Sequence, residues 1–328
     1  MKDILRNSYL INVIIFRIGY LLYLITGKTL NLSYISMINL YCITNGQFLN
    51  KLNVSRKFRN RISGESPFFN DLNENKIKAI SNNIRDEGYS IFDQRLNVNS
   101  IKNLKKLSLN MKAKVGKNYI NFDPKNKISN IYKFSPNEII KDKLVQDLVM
   151  DPVLINIAGE YLGTDPIFDF VAMWWSTDSN NKTDDAAQDF HFDLDRPKWL
   201  KIFLYLTDVN EKNGPHCYIA KSHKAGNKPQ NILKRGYVRV SDKELIKYYP
   251  KNNFKEIKGP AGTIIFGDTS CWHKGKPISK GERLILQLEY TSSLFGSNLP
   301  KLVLKNYSDQ FQKFCKKNKH YSQNIELI

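Results

Sequence analysis

At Ile167 the apolar pattern of this chain changes period, and that change limits its architecture more than any other feature. Upstream, apolar residues recur at helical spacing. Ile77, Ile80 and Ile84 predict a helix from Asn73 that stops at Gly88, with a short strand Tyr89–Phe92 behind it. Ile101, Leu104, Leu107 and Met111 predict a second helix over Asn99–Met111. A third, Lys141–Gly159, is interrupted at Asp151-Pro152, because proline cannot continue the helical hydrogen-bond ladder. Downstream come short β-rich runs separated by turns: Ile167–Ser176, Phe190–Phe192, Trp199–Leu206, Cys217–Ala220, Gly262–Phe266 and Leu284–Tyr290. Helices first and many short strands afterwards predict an α+β fold, with a double-layered β-barrel at its core and helices flanking it.

The composition permits a sizeable core, with 41% hydrophobic and 12% aromatic residues in 328. A net charge of +19 raises nucleic acid as a partner, but its distribution argues otherwise. Residues 1–65 hold nine Lys/Arg against two acids, and residues 301–328 hold six Lys against two. The remainder follows a general over-use of Asn, Lys and Ile. No helix-turn-helix, zinc-finger or stacking-aromatic motif accompanies it, so no nucleic-acid partner is expected. Three units follow: an apolar and basic N-terminal extension with a connector over 1–65, a main domain over 66–300, and a basic tail over 301–328. In the connector Arg56, Lys57, Arg59 and Arg61 form a basic cluster whose plain meaning is a solvated charge run. Cys42, Cys217, Cys271 and Cys315 are widely spaced and form no C-x-x-C pair, which fits neither a disulfide scaffold nor a zinc site. A reducing cytoplasm is the default location.

Tyr9–Ile25 is almost wholly apolar, broken by Asn12, Arg17 and Gly19. It approaches the length of a membrane span, yet an arginine at mid-helix costs about 2.5–3.5 kcal/mol on insertion scales. No small-x-small cleavage site precedes Lys28. A helix packed on the domain or a partner, or one lying on a membrane surface, fits better than a span. Packing on the domain or a partner is the first reading, and peripheral membrane contact through residues 8–26 is the second.

The strand-rich half carries His191-Phe192-Asp193, then His273 after a Gly267-Asp268 turn, then Arg283. Two imidazoles and a carboxylate can occupy one face of a metal and leave the other positions open, the arrangement suited to non-haem Fe(II) oxygen chemistry. The i, i+2 spacing sends His191 and Asp193 to one side of a strand and Phe192 to the other. Arg283 offers a rigid cationic fork for a carboxylate. Each signal has a plainer meaning alone: a loop histidine, a core histidine beside Trp272, a surface arginine. Their order along the chain gives them weight. Trp174, Trp175 and Tyr205 are candidates for a pocket wall or for core, and the polar segment Lys221–Lys258 is a candidate lid.

The runs Gln188–Asp193, Trp199–Val209, Glu211–His216 and Ser222–Lys224, with Gly262, Gly267-Asp268, His273 and Arg283 behind them, resemble the phytanoyl-CoA dioxygenase-like branch of the Fe(II)/2-oxoglutarate-dependent oxygenases. Glu87–Phe92 is similar to the segment that opens that family's domain. The resemblance covers roughly residues 70–292 and implies a double-stranded β-helix (jelly-roll, cupin-like) core. It implies that His191, Asp193 and His273 bind iron and that Arg283 holds the distal carboxylate of 2-oxoglutarate. Lys201 and Gln188 join Arg283 as co-substrate-binding candidates, although Lys201 could equally face solvent. His216 and His223 correspond to fold positions, with Ser222-His223 bonding a turn. The implied activity uses O2, turns 2-oxoglutarate into succinate and CO2, and hydroxylates a C–H bond of a small-molecule or lipid-like substrate. Halogenating relatives replace the carboxylate ligand by a small residue, so Asp193 favours hydroxylation. Two alternatives come from other classes: a non-catalytic barrel that only binds, and a membrane-surface or polyanion-binding protein acting through its basic ends.

Overall fold

The chain folds around two antiparallel sheets laid face to face, in a computed structural model that describes residues 6–52, 58, 60–70, 72–179 and 189–328. Gln188 and three members of the basic cluster, Arg56, Lys57 and Arg59, lie outside the described residues. Three helices come first: α1 (Tyr9–Thr26), α2 (Asn31–Thr44) and α3 (Gln47–Leu52). Next is α4 (Glu74–Glu87), which shows why the local sequence folds as it does. Asn73 caps it by accepting from the Lys76 N–H at 2.9 Å, and Gly88 ends it at φ 89°. A Cβ on Gly88 would fall 2.1 Å from Cys271 Sγ, so glycine is required twice over.

The larger sheet takes β1 (Tyr89–Ile91), then β2 (Lys112–Val115) and β3 (Asn118–Asn121) after α5 (Val98–Asn110), then β4 (Ile131–Lys133). Helices α6 (Pro136–Ile139), α7 (Lys143–Val149) and α8 (Pro152–Leu162) follow. The expected break at Asp151-Pro152 is the junction of α7 and α8, where Asp151 caps and Pro152 takes the first helical position. Strands β5 (Ile167–Thr177) and β6 (Trp199–Tyr205) supply the long central staves. The smaller sheet is built from β7 (His216–Ile219), from β8 (Phe254–Ile257) after α9 (Gln230–Leu233) and α10 (Asp242–Leu245), and from β10 (His273–Gly275). Between the last two runs β9 (Ile264–Gly267), and beyond them β11 (Glu282–Thr291) returns to the large sheet. The strand orders are β1-β9-β6-β11-β5-β4-β2-β3 and β10-β7-β8. This is the expected jelly-roll core with flanking helices.

Alternation along the central strands divides the interior. Leu200, Ile202 and Leu204 of β6, with Leu284, Leu286 and Leu288 of β11, pack outward against α4, α7 and α8 in the main core. Phe203, Tyr205 and Ile285 point the other way and meet Tyr218 and Ile257 of the small sheet. The functional site lies in this inner layer.

Two segments differ from expectation, and the N-terminal helix packs on the domain as expected. Residues 221–258 carry α9, α10 and β8, and among the described residues none of them lines the inner cavity. Their polarity reflects an edge strand, where Glu256 pairs with Lys276 at 2.7 Å. The last residues form β12 (Leu302–Leu304), α11 (Asp309–Lys317) and β13 (Ile325–Leu327), and Leu302, Leu304, Phe311, Cys315 and Tyr321 are buried in the main core. The lysines of α11 lie on its solvent face, the ordinary outer side of an amphipathic helix. The N-terminal helices lie against the smaller sheet, where Phe16, Met37, Leu40 and Tyr41 share a core with Phe190, Phe192, Ile219 and Trp272.

Candidate metal centre and co-substrate pocket

His191 and His273 face each other across an isolated antiparallel bridge, each N–H donating to the other's carbonyl, at 3.0 and 2.8 Å. Residues directly opposed in such a pair project on the same face, and the two rings lie 4.3 Å apart. Asp193 returns to that face two residues later, its N–H donating to the Thr269 carbonyl at 2.8 Å. Phe192 points away as expected, edge-on to Trp272 at 4.8 Å and stacked on Tyr41 of α2 at 5.5 Å.

The turn before His273 is fixed from several sides. A Cβ at Gly267 would meet the Tyr218 hydroxyl at 2.2 Å. Asp268 accepts from the Tyr161 hydroxyl at 2.5 Å and from the Ser270 N–H at 2.8 Å. Thr269 accepts from the Trp199 indole at 2.7 Å. Buried Lys228 donates to the carbonyls of Ser222 and Ser270 and to the Tyr41 hydroxyl, tying α2 to this turn. The Gly-Asp motif is thus a positioning device for the second histidine.

Hydrogen bonds set both imidazole tautomers. His191 Nδ1 is 3.1 Å from the Asp189 carbonyl, and His273 Nδ1 is 3.0 Å from that of Cys271. A carbonyl only accepts, so each Nδ1 carries the proton and each Nε2 presents a lone pair. Those Nε2 atoms lie 3.8 Å from Asp193 Oδ1 and 3.5 Å from Oδ2 respectively, and the three donors fall within 4.8 Å of one another. Burial, assisted by His191, lowers His273 to about 3 against the pull of Asp193, which keeps it a neutral ligand.

Lys201, on the inner face of β6, donates to Asp193 Oδ2 at 2.7 Å and lies 3.8 Å from Asp195 and 3.6 Å from Glu289. It is buried among carboxylates and does not face solvent. Burial opposes its charge, but Asp193, Glu289 and Asp195 offset this and raise its pKa well above the ordinary lysine value. Burial acts on Asp193 in the opposite sense, and Lys201, His273 and His191 overcome it to hold that carboxyl below the usual range. Burial raises the Glu289 carboxyl to about 8, so near neutral pH it is mostly protonated and Asp193 and Asp195 are the carboxylates that face the Lys201 ammonium. A cation between His191, Asp193 and His273 would be held by the Asp193 carboxylate and two imidazole lone pairs.

A cavity of about 550 Å³ opens from these donors between the sheets. Phe170, Ala172 and Trp174 of β5 give it an apolar wall, and Asn130 and Lys133 line it from the β4 side. Arg283 faces into it from the start of β11, 4% exposed, and among the described residues its Nε and Nη1 have no hydrogen-bond partner. A buried guanidinium with unsatisfied donors fits a carboxylate that completes them. Gly275 keeps that space clear, since a Cβ there would stand 3.3 Å from Arg283 Nη2.

The structure therefore brings His191, Asp193, His273, Lys201 and Arg283 to one cavity. Trp174 lines it, whereas Trp175 and Tyr205 are core: Trp175 donates to Ser108 at 3.2 Å, and Tyr205 donates to the Ile257 carbonyl at 2.9 Å. His223 Nε2 donates to the Arg85 carbonyl at 2.9 Å, and Ser222 donates to that of Ile219 at 2.6 Å. Both hold turns. His216 lines the cavity and pairs with the Tyr205 hydroxyl at 3.1 Å; burial and Arg283 lower its pKa well below the usual value.

Glu289, Gln287, Asp195 and Arg196 were missed by sequence reasoning. Arg283, Gln287 and Glu289 share one face of an apolar strand with Ile285, a pattern that marks a partly wetted face and was legible. Arg196, 2% exposed, clamps Asp169 with contacts of 2.6 and 2.8 Å and donates to the carbonyls of Leu294 and Ser297. It anchors the segment that carries Asp193. Replacing Arg196 with Met leaves Asp169 buried without its partner, and urea unfolding is expected to show a loss of about 3–5 kcal/mol.

The sequence from residue 112 to 285 matches the family model of phytanoyl-CoA dioxygenase (PhyH), a stretch that holds His191, Asp193, His273 and Arg283. No curated protein matches the chain in sequence. Among solved structures it is similar to the non-heme alpha ketoglutarate dependent epimerase SnoN from nogalamycin biosynthesis, with 14% identity over 67% of this chain and 84% of that one and a TM-score of 0.50. It is also similar to EctD from S. alaskensis with 2-oxoglutarate and 5-hydroxyectoine (15% identity, 72% and 82% covered, TM-score 0.46). HygX from Streptomyces hygroscopicus with nickel and 2-oxoglutarate bound is a third (14%, 74% and 94%, TM-score 0.46). At 14% identity the likeness to SnoN is one of fold. The family match is different in kind, because it spans more than half of the chain and takes in His191, Asp193, Lys201, His273 and Arg283. On that match the chain belongs to the phytanoyl-CoA dioxygenase family, whose members use Fe(II) and 2-oxoglutarate.

Proposed function

We propose that this enzyme hydroxylates a C–H bond of a small-molecule or lipid-like substrate, placing one atom of O2 in the product and the other in succinate as CO2 leaves 2-oxoglutarate. The observation that carries the reading is Asp193: an ionised carboxylate completes the donor face of a cavity with one apolar wall. Bound iron, chelated by the 2-oxo acid, supplies the chemistry that activates O2. The chain's own residues do the rest. His191, Asp193 and His273 would hold the metal on one face, and Lys201 keeps Asp193 ionised and oriented. Arg283 fixes the far end of the co-substrate. Phe170, Ala172 and Trp174 exclude water and suit a hydrocarbon segment.

Isotope labelling separates this reaction from epimerisation or ring closure on the same scaffold. Iron-loaded protein, 2-oxoglutarate and heavy-oxygen O2 are incubated with a small-molecule and lipid extract, and products are followed by mass spectrometry. Hydroxylation is expected to place one heavy atom in a new organic product and one in succinate. A converted substrate that carries no heavy oxygen would contradict hydroxylation while leaving the cofactors in place.

A further inference from the structure

Helix α1 is apolar on its outer face as well as its inner one. Its inner face carries Asn12, Val13, Phe16 and Gly19. Asn12 accepts from Asn39 of α2 at 3.0 Å, and a Cβ on Gly19 would lie 2.0 Å from the Ser33 hydroxyl, so the two helices touch through polar and small residues. The outer face carries Leu10, Ile14, Ile18, Leu21 and Ile25, from 49% exposed at Ile14 to 73% at Ile25. The connection and first turn of α2 add Leu30, Leu32 and Ile35, all exposed. A surface helix in water turns its polar side outward. Here the hydrocarbon is outside, and the patch is continuous along α1.

Charge identifies what covers it. Arg17 and Lys28 are exposed on the edge shared with Leu21 and Leu24, and no Asp or Glu occurs from Ile4 to Gly64. A second copy docking through this face would set cation against cation. An anionic lipid surface complements both the hydrocarbon and the charge. A span is disfavoured because the inner face is already taken: the Phe16 ring meets those of Phe48 at 5.2 Å and Phe295 at 5.4 Å.

We propose that the α1–α2 hairpin is a monotopic anchor, with α1 lying in the plane of an anionic bilayer, its outer leucines and isoleucines at the acyl boundary and Arg17 and Lys28 among the headgroups. The anchor is joined to the catalytic core. Thr29 accepts from the Gly296 N–H at 3.1 Å, in the loop whose Leu294 and Ser297 carbonyls hold Arg196. Membrane docking would thereby fix the orientation of the cavity relative to the bilayer. This rests on the hairpin alone and stands whatever reaction the cavity performs.

Vesicle flotation of the full chain tests it. The protein is expected to rise with phosphatidylcholine vesicles containing about 30% phosphatidylglycerol, and less with phosphatidylcholine alone or at high salt. The variant Leu10→Ser/Ile14→Ser/Ile18→Ser/Leu21→Ser, all at exposed positions, is expected to lower the bound fraction about tenfold or more with an unchanged circular-dichroism melt. Arg17→Glu/Lys28→Glu is expected to abolish the preference for anionic vesicles. Wild type left unbound by both vesicle types would overturn the proposal. So would equal binding by the serine variant, or a soluble dimer that the serine substitutions dissociate.

Discussion

Asp193→Ala combined with His273→Ala is expected to abolish turnover of 2-oxoglutarate, by about a thousandfold or more, while the protein stays folded. A facial site offers only three protein donors, and losing two leaves a lone imidazole that cannot hold Fe(II) in a defined geometry. The fold should survive for a specific reason. Lys201 loses Asp193 but keeps Glu289 at 3.6 Å and Asp195 at 3.8 Å, so its charge is not stranded. His273 is held by its backbone bridge to His191, which alanine retains. Succinate formation under O2, with circular dichroism as the control for folding, checks both halves of the expectation.

Arg283→Met is expected to weaken 2-oxoglutarate binding and to stabilise the free protein. The Kd for 2-oxoglutarate should rise about 100–1000-fold, equivalent to about 3–4 kcal/mol, because a buried bidentate carboxylate contact is lost. In the absence of 2-oxoglutarate the same variant should be no less stable than wild type, and is expected to be more stable by about 1–3 kcal/mol, since Nε and Nη1 are buried without partners and methionine removes that desolvation cost. Burial likewise lowers the Arg283 pKa, against the pull of Tyr205 and Cys217. Thermal melts with and without 2-oxoglutarate read both effects. Wild type should gain stability from the co-substrate and the variant should not. Arg283→Lys should recover only part of the affinity, because an ammonium cannot reproduce the fork. A variant that loses apo stability and binds 2-oxoglutarate normally would make Arg283 a structural residue.

Much of this was legible in the sequence because the signals are local. Asn73 and Gly88 bracket α4, Pro152 opens α8, and the two-residue spacing of His191 and Asp193 puts them on one face. The cluster of His191, Asp193 and His273 was legible because its order along the chain is what two opposed segments need. Other features depend on contacts that no local pattern encodes. β2, β3 and β4 are short, carry exposed Lys and Asn, and are defined by pairing beside β5, so their periodicity was silent. Residues 221–258 looked like a polar lid because β8 is an edge strand and α9 and α10 are single turns. Lys201 could have faced either way until Asp193, Asp195 and Glu289 converged on it from two parts of the chain. The basic tail gave only its charge, while its anchoring residues, Phe311, Cys315 and Tyr321, are scattered between lysines.

The central claim is that one face of donors, His191, Asp193 and His273, and one guanidinium, Arg283, hold Fe(II) and 2-oxoglutarate together. Anaerobic titration with Fe(II) and 2-oxoglutarate, followed by visible absorption, tests it directly. Wild type is expected to develop a weak metal-to-ligand band that saturates with one iron per chain. Arg283→Met should need far more 2-oxoglutarate to reach it, and Asp193→Ala/His273→Ala should give none. No band from wild type, or an undiminished band from the double variant, would contradict the account.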